Sequence, residues 1–256
     1  MGKKYMAGAE PFLIKKGPVG CLLIHGFTGA THEMRQLGDY LAERDITVMA
    51  PCIAGHGTRV EDLNETRWPD WYASARAALD ELKGMCETVF VGGLSMGGLQ
   101  TLHLATHDRD VRGFLCYAAP VYVRNWKLQL FEPVMRNTPL LKVYRYDKGI
   151  ADDIKDKEAI KTHVSYDKTP TACVLSLVDY MNHVKADLGE IKAPILIFQA
   201  REDHTVHPGN AEVIFKAVGS QDKQIVMLDN SYHVITVDFD KQTVFEKTYE
   251  FIQKHL

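Results

Sequence analysis

Apolar residues along this chain follow two rhythms, short unbroken runs and longer stretches in which they return every third or fourth position. The first marks buried strands and the second amphipathic helices. Thr88 to Leu94 is an unbroken apolar run and Met96 to His107 a helix-forming one, with small residues between them. Upstream, residues 11–14 and 21–24 read as strands joined by the turn-rich 15–20, a link of hairpin type. Thr31 is placed to cap a helix whose Met34, Leu37, Tyr40 and Leu41 share a face, with Glu33 favouring its first turn. Residues 46–50 return as a strand, and 51–58 are too rich in Gly and Pro for regular structure. A helix from about Pro69 carries Trp71, Tyr72, Ala75, Ala78, Leu79 and Leu82 on one stripe and ends at Gly84.

Residues 111–117 form a further predicted strand, so strands and helices alternate from Cys21 onward. Such alternation predicts an α/β fold with a mostly parallel sheet covered on both faces. The rhythm fails over 121–190, where 155–166, 171–185 and a stretch with Trp126, Leu128, Leu130, Phe131, Val134 and Met135 read as helices of an insertion. It resumes with a strand at 193–199, a helix over 208–218, a strand at 224–228 and a last helix over 241–255.

Composition narrows the role. The chain has 256 residues, 46% hydrophobic and 25% charged, which suits one α/β domain over 1–256 with a cap inserted at 121–190. The net charge of −3 is spread without a basic stripe, so nucleic acid is not an expected partner; a small molecule is, and a homodimer stays open. No apolar run is long enough to span a bilayer and none reads as a signal peptide. Five cysteines without C-x-x-C spacing, Cys21, Cys52, Cys86, Cys116 and Cys173, fit reduced thiols in a cytoplasm.

The chemistry centres on Gly93-Leu94-Ser95-Met96-Gly97, a G-x-S-x-G. Between a strand and a helix, this pattern puts the serine on a sharp turn where only glycines leave room for the crossing backbone, a nucleophile elbow. A serine hydroxyl needs a base, and the base an acid to hold it. On such a sheet the partners follow in the order acid, then histidine. Asp203, just past the 193–199 strand, is the acid, with Glu202 its rival; His233, just past 224–228, is the base. Two backbone N–H groups are placed to stabilise an oxyanion, those of Met96 and of Phe27. His25 and His56 are expected to organise loops, and His103 and His107 to pack rather than bind metal, since no third ligand lies near them. His204 and His207 flank the acid, and Asp238 is expected to be a solvated charge.

Five stretches then resemble the bacterial α/β-hydrolase carboxylesterases that group with bacterial monoacylglycerol lipases. They are Leu22-Leu23-Ile24-His25-Gly26-Phe27-Thr28-Gly29, Gly55-His56-Gly57, Gly93-Leu94-Ser95-Met96-Gly97-Gly98, Gln199-Ala200-Arg201-Glu202-Asp203 and Ser231-Tyr232-His233-Val234-Ile235-Thr236. They fall in the family order over almost the whole chain, with Tyr232 a departure where many relatives carry a smaller residue. The resemblance implies an α/β-hydrolase fold with a small helical cap and a Ser-His-Asp esterase that uses no cofactor. It carries Ser95, Asp203 and His233 over as the triad and Phe27 and Met96 as oxyanion donors. The expected reaction is hydrolysis of short to medium acyl esters, monoacylglycerols among them, through an acyl-serine. A cinnamoyl or feruloyl esterase is one alternative, and a non-catalytic ligand-binding homologue is another of a different class. A dehalogenase would need a carboxylate where Ser95 stands. From the cap, Trp126, Leu128, Phe131 and Met135 are the expected substrate contacts, with part of the cap's apolar surface lining a wall for the acyl or aryl group.

Overall fold

The computed structural model describes residues 4–123, 138, 145–147 and 153–256. Seven strands form one sheet in the order β1 (Phe12–Ile14), β3 (Thr47–Ala50), β2 (Val19–Ile24), β4 (Thr88–Leu94), β5 (Gly113–Tyr117), β8 (Ile195–Ala200) and β9 (Lys223–Leu228). All neighbours run parallel except β1, which pairs antiparallel with β3, Phe12 opposite Ala50. The expected hairpin between the first two strands does not form. β3 lies between β1 and β2, and Gly17 N–H turns instead to the Asp45 carbonyl, so 15–20 passes the end of β3 and the two strands it joins do not pair with each other.

The period of two along each strand divides the core. Leu22, Val89, Val91, Phe114, Cys116, Ile195 and Ile197 face one side, while Cys21, Leu23, Phe90, Leu115, Tyr117, Leu196 and Phe198 face the other. On the first side lie α3 (Trp68–Lys83), α4 (Met96–His107) and α7 (Gly209–Ala217), contributing Trp71, Leu79, Leu99, Leu102 and Ile214. On the second lie α1 (His32–Ala42) and α8 (Lys241–Lys254), with Met34, Leu37, Leu41, Val244 and Ile252. Both faces are therefore covered, as unbroken apolar strands require. Thr31 precedes α1 but does not cap it; its hydroxyl donates to the Glu10 carbonyl and ties the helix start to the chain leading into β1. None of the five cysteines is in a disulfide, and burial pushes the Cys21 thiol up to about 12.

Between β5 and β8 the described residues hold a two-stranded ribbon of β6 (Arg145–Asp147) and β7 (Lys168–Pro170), the short α5 (Lys157–Thr162) and the longer α6 (Thr171–Ala186). α6 is more than a cover, because its Cys173, Tyr180 and Val184 join the core with α3 and α4. Residues 153–156 form a strap over the carboxyl end of the sheet. Its anchor is Asp238, which is fully buried rather than solvated and whose carboxylate accepts from the backbone N–H groups of Lys155, Asp156, Tyr232 and Phe239. The sequence signal misleads here because a carboxylate in a loop looks exposed until the loops that would donate to it are brought together.

Replacing Asp238 removes an acceptor that four partly buried backbone donors share, and leaving a buried polar group unsatisfied costs about 1–3 kcal/mol. Asp238→Ala is therefore expected to lose about 3 kcal/mol in urea unfolding, and Asp238→Asn, which keeps one acceptor oxygen, clearly less. Equal stability of Asp238→Ala and the parent would contradict this account of the strap.

Candidate active site

The chain turns from β2 to one side for β3 and to the other for β4, so the crevice at the carboxyl ends of β2 and β4 is the topological switch point where open α/β sheets bind ligands. Ser95 stands there between β4 and α4 with φ 54° and ψ −115°, a backbone state that L residues rarely adopt and that costs on the order of 1–3 kcal/mol. The strain is held by close contact. A Cβ on Gly93 would fall inside the Gly97 carbonyl, and one on Gly97 would fall inside the Ile24 carbonyl, so α4 enters against β2 only because both lack side chains. Ser95 N–H donates to the Tyr117 carbonyl at 2.8 Å, which fixes the turn to β5. Met96 opens α4, so its N–H has no acceptor within the helix and lies at the positive end of the dipole.

His233 and Asp203 meet across 30 positions of sequence, with Nδ1 to Oδ2 at 2.9 Å. The remaining capacity of the Asp203 carboxylate is filled by Gln199 Nε2 at 2.8 Å and by the N–H groups of Val206 at 2.6 Å and Thr205 at 3.0 Å. Burial alone would raise the Asp203 pKa, but the His233 charge and these donors outweigh it and hold the carboxyl below its ordinary value. Burial likewise opposes a charge on His233, and Asp203 overcomes it, leaving that imidazole above its ordinary value. Glu202, the rival acid, points to solvent and pairs with Lys155 Nζ at 2.9 Å. The departure at Tyr232 leaves its ring edge-on to His204, with centroids 4.5 Å apart.

The loop after β2 is fixed from both sides. His25 Nε2 accepts the Ile53 N–H at 3.1 Å, so the ring proton sits on Nδ1, which donates to the Gly26 carbonyl at 2.9 Å. Burial lowers the His25 pKa and keeps the ring neutral for this duty, as the loop-organising reading expects. The Phe27 ring packs against Trp71 and His56, leaving its backbone at the crevice. His56 is itself buried, with its Nδ1 at the Ala54 carbonyl and a pKa pushed down to about 3 by desolvation.

Ser95, His233, Asp203, Gly26 and Phe27 line one cavity of about 590 Å³. One wall is apolar and comes largely from α6, with Val174, Leu177, Val178 and Met181, helped by Val123 and Val206. The other end is polar, with Asp153, His204, Thr205 and His207, and with Glu33 and His163 beside Gly26. Asp153 braces this end, accepting from the backbone N–H groups of His204 and Thr205, while the Tyr122 hydroxyl meets His207 Nδ1 at 2.9 Å. Trp126, Leu128, Phe131 and Met135, the expected substrate contacts, lie outside the described residues. The α6 wall is a contribution that sequence reasoning missed: 171–185 reads as a helix, but its low amphipathicity does not tell which side faces a ligand. Glu33 is a second omission, since as a first-turn helix residue it looks like a dipole partner rather than part of a crevice. His103 packs in an aromatic cluster, stacked on Tyr72 at 3.8 Å between ring centres and bonded to the Tyr180 hydroxyl. Among the described residues no group of three or more His, Cys, Asp or Glu is arranged to hold a metal, and no helix is long and apolar enough to cross a membrane.

The chain is similar over nearly its whole length to known proteins. A thermostable monoacylglycerol lipase of Bacillus sp. (strain H-257) is 42% identical over 257 residues, spanning 100% of this chain and 99% of the lipase. A carboxylesterase of Bacillus subtilis (strain 168) is 33% identical over 247 residues, 96% of each chain. A solved structure from work on LipS and LipT, two metagenome-derived lipolytic enzymes, superposes with a TM-score of 0.89 at 33% identity, covering 98% of this chain and 100% of that one. Residues 19–240 match the family model Hydrolase_4, described as serine aminopeptidase, S33. The chain therefore belongs to the Hydrolase_4 family, has the α/β-hydrolase fold, and is a carboxylic ester hydrolase.

Proposed function

We propose that Ser95 Oγ attacks the carbonyl carbon of a carboxylic ester while His233 takes the hydroxyl proton, with Asp203 stabilising the imidazolium that results. The carbonyl oxygen becomes an oxyanion and is met by the N–H groups of Phe27 and Met96. Collapse of the tetrahedral intermediate breaks the bond to the alkoxy oxygen, which receives the proton from His233 and leaves as an alcohol. Water, deprotonated by His233, then attacks the acyl carbon, and collapse of this second intermediate breaks its bond to Ser95 Oγ, which takes the proton back from His233 as the acid is released. The observation that carries this reading is the convergence of a strained Ser95 and an Asp203-held His233 on one cavity.

The natural substrates on this reading are esters of short to medium acyl chains with a small polar alcohol, monoacylglycerols among them. Three features support it: the apolar α6 wall, the polar end of the same cavity, and the name of the Bacillus sp. relative. The proposed organisation is one domain over 1–256 with 121–190 as its cap, working as a reduced-thiol protein of the cytoplasm.

Ser95→Ala is expected to fold and to lose about 10⁶ in kcat, and Asp203→Asn about 10⁴, because the second still allows attack but not the right imidazole tautomer. Normal turnover of p-nitrophenyl butyrate by Ser95→Ala would remove the nucleophile from this scheme. If Glu202→Gln were the crippling change instead, the acid would be misassigned.

The sign of the pH effect follows from the raised His233 pKa, since only the neutral ring can take the serine proton. Consequently kcat/KM is expected to rise with pH through a midpoint above the ordinary imidazole value of 6.5 and then level off. A flat profile, or a midpoint below that value, counts against His233 as the base.

Each methylene buried on the α6 wall adds about 0.8 kcal/mol until the wall is full. Across p-nitrophenyl acetate to palmitate, kcat/KM is therefore expected to climb and then fall, and Leu177→Ala with Met181→Ala to move the optimum. An unmoved profile in the folded variant would free α6 of this role, while a dominant rate on methyl ferulate would favour an aryl-ester substrate.

A further inference from the structure

A second buried carboxylate stands beside the nucleophile without belonging to the triad. Glu33, 4% exposed on the first turn of α1, accepts the Gly26 N–H through Oε2 at 2.7 Å and meets His163 Nε2 through Oε1 at 3.1 Å. A Cβ built on Gly26 would lie 3.2 Å from Glu33 Oε2 and 3.5 Å from Ser95 Cβ, so carboxylate and nucleophile flank the same residue. The Gly29 position must stay bare for the same reason, since a Cβ there would overlap Glu33 Oε1.

The peptide after Gly26 carries the N–H of Phe27. Its carbonyl is already held by His25 Nδ1–H at 2.9 Å. In a planar trans peptide the N–H points opposite to the preceding carbonyl, so fixing the Gly26 nitrogen and the Gly26 oxygen together leaves the Phe27 N–H one direction. Without the first of these ties, a glycine has more freedom than any other residue to rotate away. Stability alone does not account for Glu33. Burying a carboxylate is costly unless it is paired, and an apolar side chain of similar size would fill the space with less penalty. His163 enters from the segment between β5 and β8, as does Tyr166, whose N–H donates to the Thr28 carbonyl at 2.9 Å. The segment that closes the cavity thereby reaches the loop that would face the oxyanion.

We propose that Glu33, held by His163, is a positioning residue that aims the Phe27 N–H at the oxyanion of the tetrahedral intermediate. This rests on the reading of Phe27 as an oxyanion donor. Burial opposes ionisation of Glu33, but its contacts with His163, His25 and the Gly26 N–H outweigh that and keep it charged.

The test pairs turnover with a trifluoromethyl ketone. Ser95 Oγ adds to the ketone carbon, its proton passes to His233, and the ketone oxygen becomes an anion in the oxyanion's place. Glu33→Ala is expected to lower kcat on p-nitrophenyl butyrate by about tenfold to a hundredfold, less than the full loss of a donor. KM should stay within about threefold, and ketone affinity should fall by the same factor as kcat. Glu33→Gln keeps an oxygen able to accept the Gly26 N–H and is expected to recover most of that loss. His163→Ala should lower kcat and ketone affinity together, by less than Glu33→Ala, and it carries the test with Glu33→Gln if Glu33→Ala does not fold. Unchanged kcat and ketone affinity in the folded variants, a change in KM alone, or Glu33→Gln no better than Glu33→Ala would overturn the proposal. Fluorophosphonate labelling separates the two readings. An unlabelled Ser95 in the parent sinks the nucleophile, whereas a labelled Ser95 with unmoved ketone affinity sinks only the role of Glu33.

Discussion

Everything at the carboxyl end of the sheet depends on how closely α4 can approach β2. The Gly97 position touches the Ile24 carbonyl and the Gly93 position touches Gly97, so the strand, the turn and the helix meet with no side chain between them. Ser95 pays for that approach with a positive φ, and in return its side chain stands clear at the switch point rather than in the sheet. The same contact aligns the first N–H groups of α4 with the loop after β2. A single methyl group at Gly93 or Gly97 would separate these parts before any catalytic atom was altered.

The loops around this turn have no sheet hydrogen bonds to order them, and buried carboxylates take that place. Asp238 gathers four backbone N–H groups from the strap and the His233 loop. Asp203 gathers two from its own loop, besides Gln199 and His233. Glu33 takes one from the loop after β2 and a ring N–H from His163. Each carboxylate loses hydration on burial and recovers it from several fixed donors, which is the arrangement in which a buried charge is tolerated. The donors come from different segments, so each charge ties separate loops to one geometry.

α6 serves two purposes that constrain each other. Its Tyr180 and Val184 are buried against α3 and α4, while Leu177 and Met181 line the cavity. A helix so anchored cannot shift freely with each substrate, so the apolar wall is preformed, and pre-formed sites avoid the ordering cost of binding. The polar end is equally preset by Asp153, which braces the acid loop through backbone N–H groups.

The strands of the sheet and the helices that cover it, their order, the elbow and the pairing of Asp203 with His233 were legible in the chain because they rest on local causes: apolar runs, periodicity, glycines at a turn and loops that follow strands; the β6–β7 ribbon was not. Thr88–Leu94 and Met96–His107 fall where the pattern put them. The partners of β1, the burial of Asp238 and the burial of Glu33 beside Gly26 were not legible. Each depends on which distant segment arrives beside it. A carboxylate's sequence neighbours do not reveal whether it will meet water, a lysine such as Lys155, or backbone N–H groups delivered by another loop. Local pattern thus determined what kinds of element this protein builds and that Ser95 stands on the turn between β4 and α4; only the tertiary structure decided which charges are buried, because burial is set by contacts between residues far apart in the chain.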